Sequence, residues 1–223
     1  MPEPTDRTTN TEPATEHTER TTNTEPATEP TERTTTAEPA MANPWRRHSR
    51  RQVYENAWIQ VYHDELTRPD GQPGIYGVIH FRTHAVGIVP LDDQDRVLLV
   101  GQFRYTLGRY SWEIPEGGVP FDEDPLEGAR RELREETGCS AGTWRRIATF
   151  DLSNSVTDET GTLYLATDLT DGEADPDGTE DLRIRRVPFD EVMAMIDRGE
   201  ITDGMSQIAL ERVARLRAGG GRP

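Results

Sequence analysis

Lysine is absent from the 223-residue chain, and arginine alone supplies its 25 basic side chains. That imbalance has the character of a coding bias and by itself selects no chemistry. Cysteine is scarce as well, with Cys139 standing alone. A single thiol cannot staple a small secreted domain, so the expected setting is a reducing cytoplasm. Long apolar runs are also missing. No stretch approaches the roughly 18 consecutive apolar residues of a membrane span. The first 40 residues hold no Leu, Ile, Val, Phe, Trp or Tyr from which the apolar part of a signal sequence is built, so no membrane partner is expected. Positive charge is in deficit, because 41 acidic side chains give a formal charge of −16. Such a chain repels bare phosphate backbone, and nucleic acid is not expected as a partner. Any phosphate it handles calls for a metal ion in between.

Residues 1–40 carry nine acids and three arginines, and Arg7, Arg20 and Arg33 mark a repeat of 13 residues. The repeats contain nothing large and apolar to bury between neighbours, so a disordered Thr/Glu/Pro-rich tail is expected, with Met41 a candidate start. Composition then changes abruptly. Residues 41–82 read as an N-terminal β element: a strand pair within Val53–Glu65, a turn at Pro69-Asp70-Gly71, and a strand at Ile75–Phe81. Residues 83–223 read as the main domain. Strands are expected at Ala85–Pro90 and Val97–Phe103 around the polar turn Asp92–Asp95, and a short extended segment at Trp112–Pro115. A loop through Glu116-Gly117-Gly118 should follow, then a helix to Thr137. Asp124 suits its N-cap, Pro125 its first position, Glu127 the other half of a capping box, and Gly138 a left-handed C-terminal cap. Further strands are expected at Trp144–Leu152, Thr162–Thr167 and Leu182–Val187, with an acidic loop at Asp171–Asp181 and helices from Phe189 and Met205. Strands and helices do not alternate strictly, which predicts an α/β fold with a mixed sheet covered by helices.

On the central helix Glu132, Glu135 and Glu136 stand at i, i+3 and i+4, within one arc of about 100°. Leu126, Ala129 and Leu133 fill the adjoining arc. A solvated acidic face would show the same spacing. So would an oxygen-only ligand set for a hard divalent cation, Mg²⁺ or Mn²⁺. The surrounding residues discriminate. Gly117, five residues, Glu123, seven residues, then Arg131-Glu132-Leu133-Arg134-Glu135-Glu136-Thr137-Gly138-Cys139 resembles the signature box of the Nudix hydrolases at every fixed position. Gln102-Phe103-Arg104, Trp112-Glu113-Ile114-Pro115-Glu116-Gly117 and Gly199-Glu200-Ile201-Thr202-Asp203 resemble the ADP-ribose pyrophosphatase branch, which hydrolyses nucleoside diphosphate sugars.

The resemblance implies a Nudix α/β/α sandwich and a metal-dependent diphosphate hydrolase. It assigns Glu132 and Glu136 as direct Mg²⁺ or Mn²⁺ ligands, Glu135 as a ligand or a holder of the attacking water, and the backbone carbonyl of Glu116 as a further ligand. Glu123 and Arg131 would join loop to helix by ion pairing, beside Gly117 and Gly138 as structural residues of the box. A glutamate on a distant loop would act as base, either Glu180 or Glu159. Arg104 would hold a substrate phosphate or pair with a nearby acid. His63, His80 and His84 are expected to be structural, and Trp58 and Tyr62 core or interface. The branch's N-terminal strands imply a homodimer with strand exchange. It often carries a proline about fifteen residues beyond the box, whereas Ser153-Asn154-Ser155-Val156 has none, which leaves NADH or another nucleotide sugar open beside ADP-ribose. A nucleoside triphosphate pyrophosphohydrolase and a non-catalytic ADP-ribose sensor are the competing functions.

Overall fold

The computed structural model describes residues 42–174 and 181–220. The expected tail and Glu180 lie outside that range. Three antiparallel strands, β1 (Arg46–Glu55), β2 (Ile59–Thr67) and β3 (Pro73–Phe81), form a sheet in sequence order. β1 begins seven residues before the expected strand. Its Arg-rich start gave no apolar signal, because every residue of β1 is exposed and it is held by pairing with β2. Arg50 fixes the pair by donating from Nε and Nη2 to Asp64 at 2.7 Å each. Trp58, offered as core or interface, is 71% exposed and belongs to no core of this chain.

β4 (Thr83–Pro90), β7 (Glu116–Pro120), β8 (Ser140–Asp151) and β9 (Thr160–Thr170) make a mixed sheet in the order β7-β4-β9-β8. Only β4 and β9 run parallel within it. β5 (Arg96–Arg104), β6 (Arg109–Glu113) and β10 (Arg183–Pro188) form a third sheet, ordered β10-β5-β6. The strands read as continuous apolar runs because both faces are covered. Successive side chains alternate: Val97, Leu99, Leu163 and Leu165 join one core, while Leu98, Tyr164 and Ala166 join the other. The first core is closed by α2 (Phe189–Asp197) and α3 (Gly204–Ala218) through Met195, Ala209 and Leu210. The second is closed by α1 (Pro125–Thr137) through Ala129 and Leu133. This is the expected α/β/α sandwich with a mixed sheet.

Gly117 and Gly118, expected in a loop, instead sit in β7 paired with Val86 and Ala85 of β4. Two glycines score poorly as a strand, but ladder hydrogen bonds do not need side chains. Among the described residues no helix is long and apolar enough to cross a membrane.

Candidate active site

The site is organised by α1. Asp124 caps its start by accepting from the Leu126 N–H at 2.7 Å, and Pro125 follows where its missing N–H costs nothing. The reciprocal half of the capping box is not made as expected, since Glu127 pairs with Arg130 one turn on. Gly138 ends the helix at φ 74°, with its N–H donating to the Arg134 carbonyl. Only a residue without a Cβ adopts that left-handed turn without strain.

Seen along α1, the three glutamates differ in environment. Glu136 is 3% exposed and accepts from the Glu116 N–H at 3.2 Å, which fastens the helix to the start of β7. Glu132 lies against β7 one residue later. A Cβ on Gly117 would fall 2.2 Å from its carboxylate carbon and 2.4 and 2.6 Å from its oxygens. Gly117 is therefore a cradle for that carboxylate. Glu135 is turned outward, paired through Arg131 Nη1 at 3.0 Å. The same guanidinium reaches Glu132 at 2.8 Å and Glu123 at 3.6 Å. Arg131 thus joins the loop to the helix and offsets part of a like-charged strip. Burial in this setting pulls its pKa down, but the neighbouring acids, Glu132 foremost, raise it overall. An all-oxygen donor set of converging carboxylates and a cradle that a methyl group would fill fit a hard divalent cation.

Beside the box lies a second group of acids, two of which sequence reasoning missed. Glu113 ends β6 and is 2% exposed. Arg104, at the end of β5, donates to it from Nε at 2.9 Å and to the Glu116 carboxylate from Nη2 at 2.7 Å. Of the two roles open to Arg104, pairing with acids is the one made here. Asp203 caps α3, accepting from the Ser206 N–H at 2.6 Å, and Ser206 in turn accepts from the Ile114 N–H at 3.0 Å. Glu113, Glu116 and Asp203 each bring a carboxylate oxygen within 4.8 Å of the others. Burial, then the charges of Asp203 and Glu113, push the Glu116 carboxyl well above the ordinary glutamate range against the pull of Arg104. One signal for Glu113 was available: an acid between Trp112 and Ile114 in an apolar segment is a buried charge that requires a partner. Asp203 was legible only as a helix cap.

Glu159 opens β9. Burial and the charge of Asp203 raise its carboxyl pKa, so it lies within electrostatic reach of this group. Its loop is anchored to β3: Val156 accepts from the Ile79 N–H at 2.9 Å, Ser155 from the Tyr76 hydroxyl at 2.7 Å, and Asp158 pairs with His80 at 2.6 Å. The structure thus joins Arg104 to Glu116, Glu116 to Glu136, Gly117 to Glu132, and Arg131 to Glu123, Glu132 and Glu135. It links Glu159 to this group through the charge of Asp203, and places Gly138 at the C-terminal cap of α1, two residues beyond Glu136.

A model of the NUDIX domain matches residues 81–205, more than half of the chain. The chain belongs to the Nudix hydrolase family. Residues 45–79 match the nucleoside diphosphate sugar hydrolase N-terminal domain, which coincides with the β1–β3 sheet. The ADP-ribose pyrophosphatase of Mycobacterium tuberculosis is 32% identical over 179 residues, covering 78% of this Nudix chain and 86% of its relative. A CMP-5'-(N-acetyl-N-hydroxy-3-aminopropyl)phosphonate hydrolase of Streptomyces rubellomurinus is 30% identical over 183 residues, covering 80% and 85%. A solved structure described as an ADP compounds hydrolase superposes with a TM-score of 0.73 at 22% identity, covering 82% of this chain and 99% of the other. That likeness speaks for the fold.

Proposed function

We propose that this Nudix hydrolase splits the diphosphate linkage of a nucleoside diphosphate sugar, converting ADP-ribose to AMP and ribose 5-phosphate. The observation that carries the reading is the seating of the Glu132 and Glu136 carboxylates against the Gly117 and Glu116 backbone, in a chain whose N-terminal sheet matches the nucleoside diphosphate sugar module. The relative whose name specifies ADP-ribose supports the choice of substrate.

Glu132 and Glu136, with the Glu116 carbonyl, are the residues that would hold Mg²⁺ or Mn²⁺. Bound there, the cation supplies positive charge to the diphosphate and makes an attacking water more acidic. Glu135 sits at the solvent edge of the strip, where Arg131 aligns it to hold that water. Of the two candidate bases, Glu159 lies within the described residues, and its raised pKa suits proton uptake nearer neutrality. Glu123 and Arg131 keep the loop on the helix. Arg104 orders Glu113 and Glu116, and its charge favours an arriving phosphate.

A homodimer built through residues 41–82 is supported by Val53, Tyr54 and Ile75, which the chain leaves exposed on its first sheet, and by exposed Trp58 in the turn between β1 and β2. The lone buried Cys139 suits a reducing cytoplasm. The test is product analysis with ADP-ribose, NADH, a nucleoside diphosphate hexose, a CMP-phosphonate and dNTPs. ADP-ribose should give AMP and ribose 5-phosphate with kcat/KM at least about 10²-fold above any dNTP, since a third phosphate would meet contacts shaped for a sugar. EDTA should abolish turnover and Mg²⁺ or Mn²⁺ restore it. Faster dNTP hydrolysis would overturn the substrate class, and full turnover in chelator the chemistry.

A further inference from the structure

The group formed by Glu113, Glu116 and Asp203 is not explained by the box. Its members come from three elements: the end of β6, the start of β7 and the N-cap of α3. One carboxylate oxygen of each lies within 4.8 Å of the other two. Acids so close repel, and among the described residues Arg104 is the cation paired with them, bridging Glu113 and Glu116. One guanidinium against three carboxylates leaves the group short of positive charge.

A separate observation shows where the missing partner belongs. The Glu116 side chain is only 11% exposed. While its Oε1 accepts from Arg104, its Oε2 is fully buried and has no hydrogen-bond partner. A buried carboxylate oxygen is costly unless a donor, a proton or a cation meets it. A proton shared by two of the acids, added to the charge of Arg104, still leaves one of the three negative charges unbalanced. A divalent cation relieves all three, and carboxylate oxygens converging from separate elements are its usual ligands.

The frame is also fixed in advance. Asp203 is held by the Ser206 N–H, and Ser206 holds the Ile114 N–H next to Glu113. Glu116 is held at its own N–H by Glu136. A site whose ligands are set by backbone bonds loses little freedom when it fills.

We propose that Glu113, Glu116 and Asp203 form a second seat for a divalent cation, Mg²⁺ or Mn²⁺, distinct from the carboxylates of α1. This seat uses the Glu116 side chain, whereas the box site uses its carbonyl. It places positive charge where the end of β6, the start of β7 and the start of α3 meet. It does not depend on which diphosphate the enzyme splits.

The test counts ions with the full chain and no substrate. Protein stripped with EDTA is titrated with Mn²⁺, and free Mn²⁺ is read by electron paramagnetic resonance. Wild type should bind one Mn²⁺ more than Glu116→Gln, which keeps the carbonyl and the size of the side chain but loses the charge. Asp203→Asn should show the same loss, since asparagine caps a helix as well as aspartate does. Glu136→Gln should lose a different ion and keep this one. Melting curves confirm that each variant is folded, and a variant that fails to fold leaves the other to decide. Equal Mn²⁺ stoichiometry and affinity in wild type and both seat variants would overturn the proposal. So would Glu136→Gln emptying both sites together, because the seat would then not be separate. Failure of ADP-ribose as substrate would leave the ion count untouched, so the two readings fall independently.

Discussion

Replacing Gly117 by alanine tests the cradle directly. The added Cβ would stand 2.2 Å from the Glu132 carboxylate carbon. Carbon atoms are comfortable only from about 3.5 Å, so the carboxylate must retreat by more than about 1 Å. Gly117 is not among the glycines with positive φ, so its backbone accepts alanine without strain. The obstructing group is the end of a flexible side chain, which can swing away. Folding should therefore change little. The lost clash room is offset by a gain of about 0.4–1 kcal/mol from stiffening the unfolded chain. Metal binding is less tolerant. Mg²⁺ demands near-octahedral oxygen ligands at roughly 2.0–2.1 Å, and a displacement of about 1 Å at a reacting centre costs on the order of 10²-fold in rate. Gly117→Ala should thus keep its Tm within a few degrees while kcat falls about 10²-fold and the Mg²⁺ concentration for half activity rises. The assay is steady-state kinetics across a Mg²⁺ series, alongside calorimetry. A variant with wild-type kcat and wild-type Mg²⁺ dependence would refute the seating of Glu132 as a ligand, and a large drop in Tm would show that the clash falls on the fold instead.

Glu136→Gln should retain the acceptor for the Glu116 N–H and hence the fold, yet lose on the order of 10²-fold in kcat, measured with saturating Mg²⁺; unchanged kcat removes Glu136 from the site. Glu159→Gln should lower kcat on the order of 10²-fold or more. Because the Glu159 pKa is raised, activity of the wild type should climb with pH through a value above the ordinary glutamate range, and the variant should lack that limb; a retained limb would transfer the role elsewhere. Asp64 concerns stability. Its pKa is held below the ordinary value by the Arg50 hydrogen bonds, against the opposing effect of burial. The unfolded chain therefore takes up the proton first as pH falls. This contribution is full above about pH 3.9, the unfolded value, and is lost below it through the lower folded value. Asp64→Asn should cost about 1–3 kcal/mol near neutral pH and flatten the fall in Tm below about pH 4; parallel curves for the two proteins would contradict the pairing.

Much of this enzyme is local and so was written in its sequence. The cap residues Asp124, Pro125 and Gly138 delimit α1 because they act on neighbouring backbone groups. The i, i+3, i+4 spacing of Glu132, Glu135 and Glu136 follows from helix geometry alone. The buried strands announced themselves through apolar runs. The sequence was silent where an element is held by long-range pairing. β1 is charged and exposed along its length, and Gly117-Gly118 becomes a strand only because β4 offers a ladder. The finer division of labour among the acids was also a tertiary matter. Periodicity put three glutamates on one arc, but packing against β7 buried Glu136 and left Glu135 at the surface. Glu113, Glu116 and Asp203 span 91 positions of chain and meet within 4.8 Å. No local pattern encodes that approach, because it arises only when β6, β7 and the start of α3 close on a shared core, and the charge they concentrate there belongs to the folded molecule alone.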